Sequence, residues 1–270
     1  MTFTGTIGSL CMFLLHAIIN LCVRMRVHPN LLTIIGVVIN ANGAYALGTG
    51  HFRVAGVVMI FANIFDFIDG KVAERMSLAS QFGGFWDSAM DRFSDMLLFI
   101  GLIYLYSNLG RTDYVLITAL ALMFSVMTSY TRARAESLIE KCKVGFMERP
   151  ERIVLFMIGA FTNRMAAVLW VLLVLSVITV INRIYFTWKE LRAKTPYQPT
   201  TTVQMTFKRI FALPVLAVKH VLFWTFERAT WQYDLMVIAI LAFVWITPPA
   251  SINDPMADSY GLIGLLAKLF

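Results

Sequence analysis

MAAVLWVLLVLSVITVIN, residues 165–182, runs eighteen positions without a charged side chain before Arg183 interrupts it. Wound as an α-helix, such a run is about 27 Å long, close to the thickness of a bilayer's hydrocarbon core. Comparable apolar runs occupy residues 31–48, 54–69, 82–106, 114–131 and, more briefly, 150–161. Only helices satisfy their own backbone hydrogen bonds in lipid, so this pattern predicts an all-α polytopic membrane protein with a six-helix transmembrane core. Composition agrees. Of 270 residues 59% are hydrophobic and 14% charged, and the mean hydropathy is +0.72. That balance excludes a soluble globular surface and a disordered chain.

Before the core, residues 9–23 form a run too short for an easy crossing. His16, Asn20 and Arg24 recur there every four positions, which puts a polar stripe on one face and predicts an interfacial amphipathic helix. With no positive charge ahead of it, this segment does not read as a secretory signal and is expected to stay on the protein. The expected organisation is therefore an interfacial helix over 1–28, the transmembrane core over 29–186, and a C-terminal helical extension over 187–270. The polar stretch 194–200 opens that extension. Residues 210–226 carry Pro214, Lys219 and His220 and read as re-entrant or interfacial, while 235–247 is apolar but short.

A net charge of +7 can signal nucleic acid, but here Lys and Arg fall between apolar runs, the pattern of membrane orientation. Seventeen of them, from Arg24 and Arg26 through the 71–92, 132–152 and 183–209 segments, fall on one side of the six-span arrangement. Only Arg53, Arg111 and Arg164 fall on the other. The positive-inside rule makes the first side, with the N-terminus, cytoplasmic. Cys11, Cys22 and Cys142 are odd in number and without metal-ligand spacing, so neither a disulfide framework nor a zinc site is indicated.

The chemistry concentrates at the cytoplasmic ends of the second and third spans. DFIDGKVAER over 66–75 is followed by GGFWDSAMD over 83–91, so five of the sixteen acidic residues crowd into twenty-six positions. Asp66 and Asp69 are three apart, and Asp87 and Asp91 four apart; each pair projects from one helix face. Two such helices packed together would converge four carboxylates, whose mutual repulsion calls for a cation. All-oxygen ligands favour Mg²⁺ or Mn²⁺ over zinc, and four carboxylates suffice for two ions flanking a phosphorus centre. Gly70 and Gly83 remove side chains where a diphosphate must approach backbone. Taken singly, each aspartate also fits a helix cap or an ion-pair partner of Arg75 or Arg92. A cation transporter would likewise explain the carboxylates, but not the glycines.

The spacing Asp-x2-Asp-Gly-x2-Ala, then Gly-x3-Asp-x3-Asp, resembles the signature of the CDP-alcohol phosphotransferases, integral membrane enzymes of phospholipid synthesis. The likeness extends from about Arg24 to Ile184, with a Pro-Asn-x-x-Thr start matched by Pro29, Asn30 and Thr33. It implies that Asp66, Asp69, Asp87 and Asp91 ligate two divalent ions, Mg²⁺ or Mn²⁺, and that Asp91 is also general base toward the acceptor hydroxyl. It further implies a CDP pocket of Asp66, Asp69, Gly70, Ala73, Arg75, Gly83 and Asp87, a CDP-diacylglycerol-like donor and a homodimer in the cytoplasmic membrane. The family has arginine directly after the alanine, where this chain has Glu74 and then Arg75. Either Arg75 supplies the guanidinium with a small shift, or that contact is weakened. An inactive homologue serving as a scaffold is the reading this departure leaves open. Residues 129–152 are similar to the corresponding region of the phosphatidylinositol phosphate and archaetidylinositol phosphate synthases. By that likeness Arg132, Arg134, Arg149 and Arg152 hold the phosphate of an inositol phosphate acceptor. Glycerol 3-phosphate is the alternative, and anchoring of helix ends the bland one. Asp95 extends the four-residue series but lies outside the signature.

Overall fold

The structure is a computed structural model that describes residues 15–194 and 230–256. The described residues are helical throughout apart from turns and short connections, with no strand among them. The helices are α1 (Leu15–Arg24), α2 (Pro29–Gly48), α3 (Phe52–Arg75), α4 (Gln81–Asn108), α5 (Thr112–Glu136), α6 (Arg149–Thr162), α7 (Met165–Lys194) and α8 (Trp231–Ile246). A 3₁₀ turn at Pro249–Ile252 follows α8. Three helices, α2, α5 and α7 as far as Ala193, are long and apolar enough to cross a membrane. α3 and α4 are longer than α2 but carry the aspartates, and α6 has only 14 residues. The expected reading of residues 210–226, like Cys11, lies outside the described residues; Cys22 and Cys142 are free thiols. α7 continues unbroken through the expected boundary at 186 to Lys194.

The chain divides into two compact units, Met1–Gly110 and Arg111–Phe270. In the first, α2 is the central helix, packed against both α3 and α4. Pro29 opens it, suited to a first turn because its missing N–H has no helical partner there. α1 lies over the start of α2 and the end of α3. Its Ile19 is buried with Leu32, Ile68 and Val72, and Leu15, Cys22 and Val23 pack beside them. His16, Asn20 and Arg24 are exposed, and so are the apolar Ile18 and Leu21.

α2 and α4 approach closely because small residues face each other. A Cβ added at Gly101 would fall 2.2 Å from the Ala44 carbonyl oxygen, and one at Gly48 would fall 3.2 Å from the Gly101 carbonyl oxygen. This is the small-residue packing by which membrane helices gain van der Waals contact without a hydrophobic driving force. One helical level away, the buried Asn40 amide donates to the Ser94 hydroxyl. This polar tie fixes the register of α4 on α2.

The second unit is built on α7, against which α5, α6 and α8 pack. Ala166, Ala167, Val168, Leu169 and Leu172 of α7 are fully buried. α6 turns into α7 at Asn163, whose left-handed backbone (φ 54°) is a conformation asparagine tolerates well at a helix end. α8 begins beside Glu151, at the start of α6, and its far end meets Arg164, so it runs parallel to α6. It is apolar on nearly every side, as a helix facing lipid is.

Candidate active site

Two local signals place the aspartates. α3 ends at Arg75, and Ser77 takes a left-handed turn (φ 56°) that reverses the chain. Ser80, in extended conformation, then caps α4 by accepting the Gly83 N–H at 3.0 Å. α4 therefore starts at Gln81, which puts Asp87 in its second turn and Asp91 one turn further.

One carboxylate oxygen each from Asp66, Asp87 and Asp91 lies within 4.8 Å of the others. The three side chains are half-buried. Such crowding of like charge is costly without a cation among them, and an all-oxygen donor set suits Mg²⁺ or Mn²⁺. The residues fit the implied metal.

Asp69 stands apart from this trio. It is buried, and its Oδ2 accepts the Thr33 hydroxyl at 2.5 Å. Asp66 and Asp87 are nonetheless near enough to act on its charge. The expectation of four converging carboxylates thus resolves into three together and a fourth held by α2. The Pro-Asn-x-x-Thr motif gains its reason here. Pro29 starts the helix, and one turn on, Thr33 presents its hydroxyl to Asp69.

Gly70 is exposed in α3, and a Cβ there would meet nothing within 4 Å. A mid-helix glycine costs about 1 kcal/mol against alanine. Packing gives no reason for a glycine at this position. Gly83 has a packing reason as well, because its Cβ would press on the Ser80 hydroxyl at 3.2 Å. Ala73 is half-buried. Glu74 is exposed and paired with Lys71 at 2.8 Å, which holds its carboxyl below the usual range. Arg75 donates to the Asn20 side chain and so ties α3 to α1. Asp95 is buried one turn past Asp91.

A second polar constellation lies in the other unit. Glu148, the residue before α6, accepts from Arg132 at 2.7 Å and from Arg183 at 3.1 Å through the same oxygen. Arg183 is 2% exposed and also donates to the carbonyls of Val144 and Thr128. Buried Arg152 donates to the Thr128 hydroxyl at 3.0 Å. Arg132 reaches Glu136 as well, at 3.1 Å. Arg132 and Arg152 act on the charge of Arg183, so three guanidinium groups share one neighbourhood. Arg149 is half-buried at the first position of α6. Arg134 is exposed and donates to Ser137, away from the others. Two residues apart on a helix, Arg132 and Arg134 point to opposite sides. Arg183 is the member that counting charges by segment overlooks, although an arginine within an apolar run is itself a functional signal.

The sequence profile of the CDP-alcohol phosphatidyltransferases matches residues 26–182, which include Thr33, the three converging aspartates and Gly70. The chain belongs to the CDP-alcohol phosphatidyltransferase family. Archaetidylinositol phosphate synthase of Methanothermobacter thermautotrophicus is 32% identical over 175 residues, 63% of this chain and 87% of that one. A crystal structure of phosphatidylinositol phosphate synthase of Mycobacterium tuberculosis with CDP-DAG bound matches with a TM-score of 0.61 at 29% identity. It covers 64% of this chain and 93% of that one. The same enzyme in complex with manganese and citrate gives a TM-score of 0.60 at 30% identity, over 64% and 88% of the two chains. This CDP-alcohol phosphatidyltransferase is a membrane transferase of phospholipid synthesis, and its α8 lies wholly outside the matched region.

Proposed function

We propose that this CDP-alcohol phosphatidyltransferase transfers the phosphatidyl group of a CDP-diacylglycerol-like lipid to a hydroxyl of inositol phosphate, releasing CMP. The observation that carries the reading is the meeting of Asp66, Asp87 and Asp91, three signature positions, within 4.8 Å. Together with Asp69 they would hold two Mg²⁺ or Mn²⁺ ions, which when bound neutralise charge on the diphosphate. The residues' own work is then to position and to move one proton. Gly70, Ala73, Arg75 and Gly83 line the nucleotide pocket, the open flank of Gly70 admitting the diphosphate against backbone. A carboxylate oxygen of Asp91 takes the proton of the acceptor hydroxyl as its oxygen bonds to the lipid-bearing phosphorus. The bond from that phosphorus to CMP breaks in the same displacement.

The acceptor reading is supported by Arg132, Arg152 and Arg183 sharing one neighbourhood beside Glu148, since guanidinium groups suit bidentate recognition of phosphate. Arg132 and Arg152, with Arg149, are the proposed ligands of the acceptor phosphate; Arg134 joins them only by its sequence position. The charge bias supports a six-span core with both substrate-binding segments on the cytoplasmic side of the inner membrane. Family membership supports a homodimer.

Purified protein in nanodiscs, given CDP-diacylglycerol and Mn²⁺, is expected to release CMP with inositol 3-phosphate and not with inositol or serine. Release with glycerol 3-phosphate alone would reassign the acceptor, and release with none would remove the enzyme reading. Thr33→Val deletes the donor to Asp69 without changing size. The Mn²⁺ concentration for half-maximal rate is expected to rise about 10–100-fold, as when other groups that orient a metal ligand are lost. An unchanged metal titration would detach Asp69 from the ion.

A further inference from the structure

α8 lies beyond the family match, yet it is fastened to the segment that carries Glu148. Thr230 caps it, accepting the Tyr233 N–H at 3.4 Å, and so fixes the first turn. From that turn the Tyr233 hydroxyl donates to Glu151 at 3.0 Å. The Tyr233 ring lies 5.0 Å from the ring of buried Phe146. Tyr233 therefore grips the chain two residues before Glu148 and three residues after it.

The gripped segment is also held by α5, through Arg132 on Glu148, and by α7. Gly145 adopts φ 95° with its Cβ direction filled by Thr179, and the Met147 N–H donates to the Thr179 hydroxyl at 3.2 Å. α8 adds a third contact, at Phe146 and Glu151. Its far end is tied down too. Arg164 donates to the Thr247 carbonyl at 3.1 Å, Asn163 to that of Met256 at 2.8 Å, and the Tyr114 hydroxyl to that of Ile252. A helix anchored at both ends acts as a strut, not as a tail.

We propose that Tyr233 is a positioning residue for the acceptor site. By clamping Phe146 and Glu151 it fixes the Glu148 carboxylate that spaces Arg132 and Arg183, and thereby sets affinity for a phosphorylated polyol. The proposal rests on the reading that these arginines hold the acceptor phosphate. Tyr233 touches neither substrate. A hydrogen bond from a hydroxyl to a carboxylate at the edge of an apolar environment is among the stronger ones, so its loss is expected to register.

The test is steady-state CMP release by the full-length protein in nanodiscs. Inositol 3-phosphate is varied at fixed CDP-diacylglycerol, then the reverse. Tyr233→Ala is expected to raise the acceptor KM about tenfold and Tyr233→Phe about threefold, with the CDP-lipid KM and kcat within about twofold of wild type. Glu151→Ala loses the Tyr233–Glu151 bond as well, so the double variant is expected to cost less than the sum of the two singles. An acceptor KM unmoved in Tyr233→Phe, equal rises in both KM values, or additive effects in the double variant would each overturn the strut. Should Tyr233→Ala not fold, the Tyr233→Phe and Glu151→Ala pair decides alone. A wild type releasing no CMP with inositol 3-phosphate or glycerol 3-phosphate would overturn the acceptor reading, and the strut with it. Turnover by wild type with a flat acceptor KM across the variants would overturn the strut only.

Discussion

Asp91→Asn is expected to lower the rate of CMP release by about 10⁴-fold or more. One substitution removes both a proposed metal ligand and the proposed acceptor of the hydroxyl proton, and general base catalysis alone is worth about 10²–10⁴. The variant separates chemistry from folding by a stability signature of opposite sign. In wild type, three carboxylates within 4.8 Å repel one another until a cation arrives. Neutralising Asp91 relieves part of that repulsion, so the metal-free variant is expected to melt no lower than metal-free wild type. Added Mn²⁺ is expected to raise the melting temperature of wild type by mass action and to leave the variant nearly unmoved. Wild-type turnover by Asp91→Asn would remove the proposed base, and an equal Mn²⁺ response in both proteins would remove Asp91 from the metal site.

Gly101→Val is expected to be the most damaging single change away from the aspartates. Its Cβ would lie 2.2 Å from the Ala44 carbonyl oxygen; that oxygen is backbone and the Cβ position is set by backbone, so no side-chain rotation relieves the clash. α4 would have to move off α2, breaking the Asn40–Ser94 tie and shifting the helix that carries Asp87 and Asp91. Overpacking of this kind costs about 3 kcal/mol or more, which lowers the melting midpoint of a chain this size by roughly 10 °C. Gly84→Ala is the matched control, because a Cβ there meets nothing within 4 Å. A Gly101→Val protein that melts with wild type would mean that α2 and α4 do not pack as described.

Much of the first unit is legible in the sequence because its signals are local. The apolar runs mark the helices, Pro29 marks a start, and the spacings of Asp66 with Asp69 and of Asp87 with Asp91 each define a helix face. What those spacings do not reveal is which carboxylates meet. Asp69 turns to Thr33, thirty-six positions away, a contact that exists only once α2 and α3 pack. Gly101 likewise reads as an ordinary glycine in an apolar span until Ala44 is set against it. In the second unit the arginines around 132–152 stand out, but their division does not. Arg183 interrupts an apolar run, a signal lost when charges are summed by segment, and the burial of its side chain beside Glu148 sets it apart from the rest. α8 lacks the periodicity that would betray a contact face, so the contribution of Tyr233 is invisible before the fold is known.

The division of the chain carries a consequence for biosynthesis. Asp66, Asp87 and Asp91 all come from the unit that ends at Gly110, whereas Arg132, Glu148, Arg152 and Arg183 are translated later. A ribosome inserting this protein therefore finishes the acidic cluster while the basic network is still unmade, and domains generally fold in the order they emerge. On the proposed reading, the cation site is complete before the groups that hold the acceptor phosphate exist. Tyr233 is synthesised later still, so its bond to Glu151 forms after both.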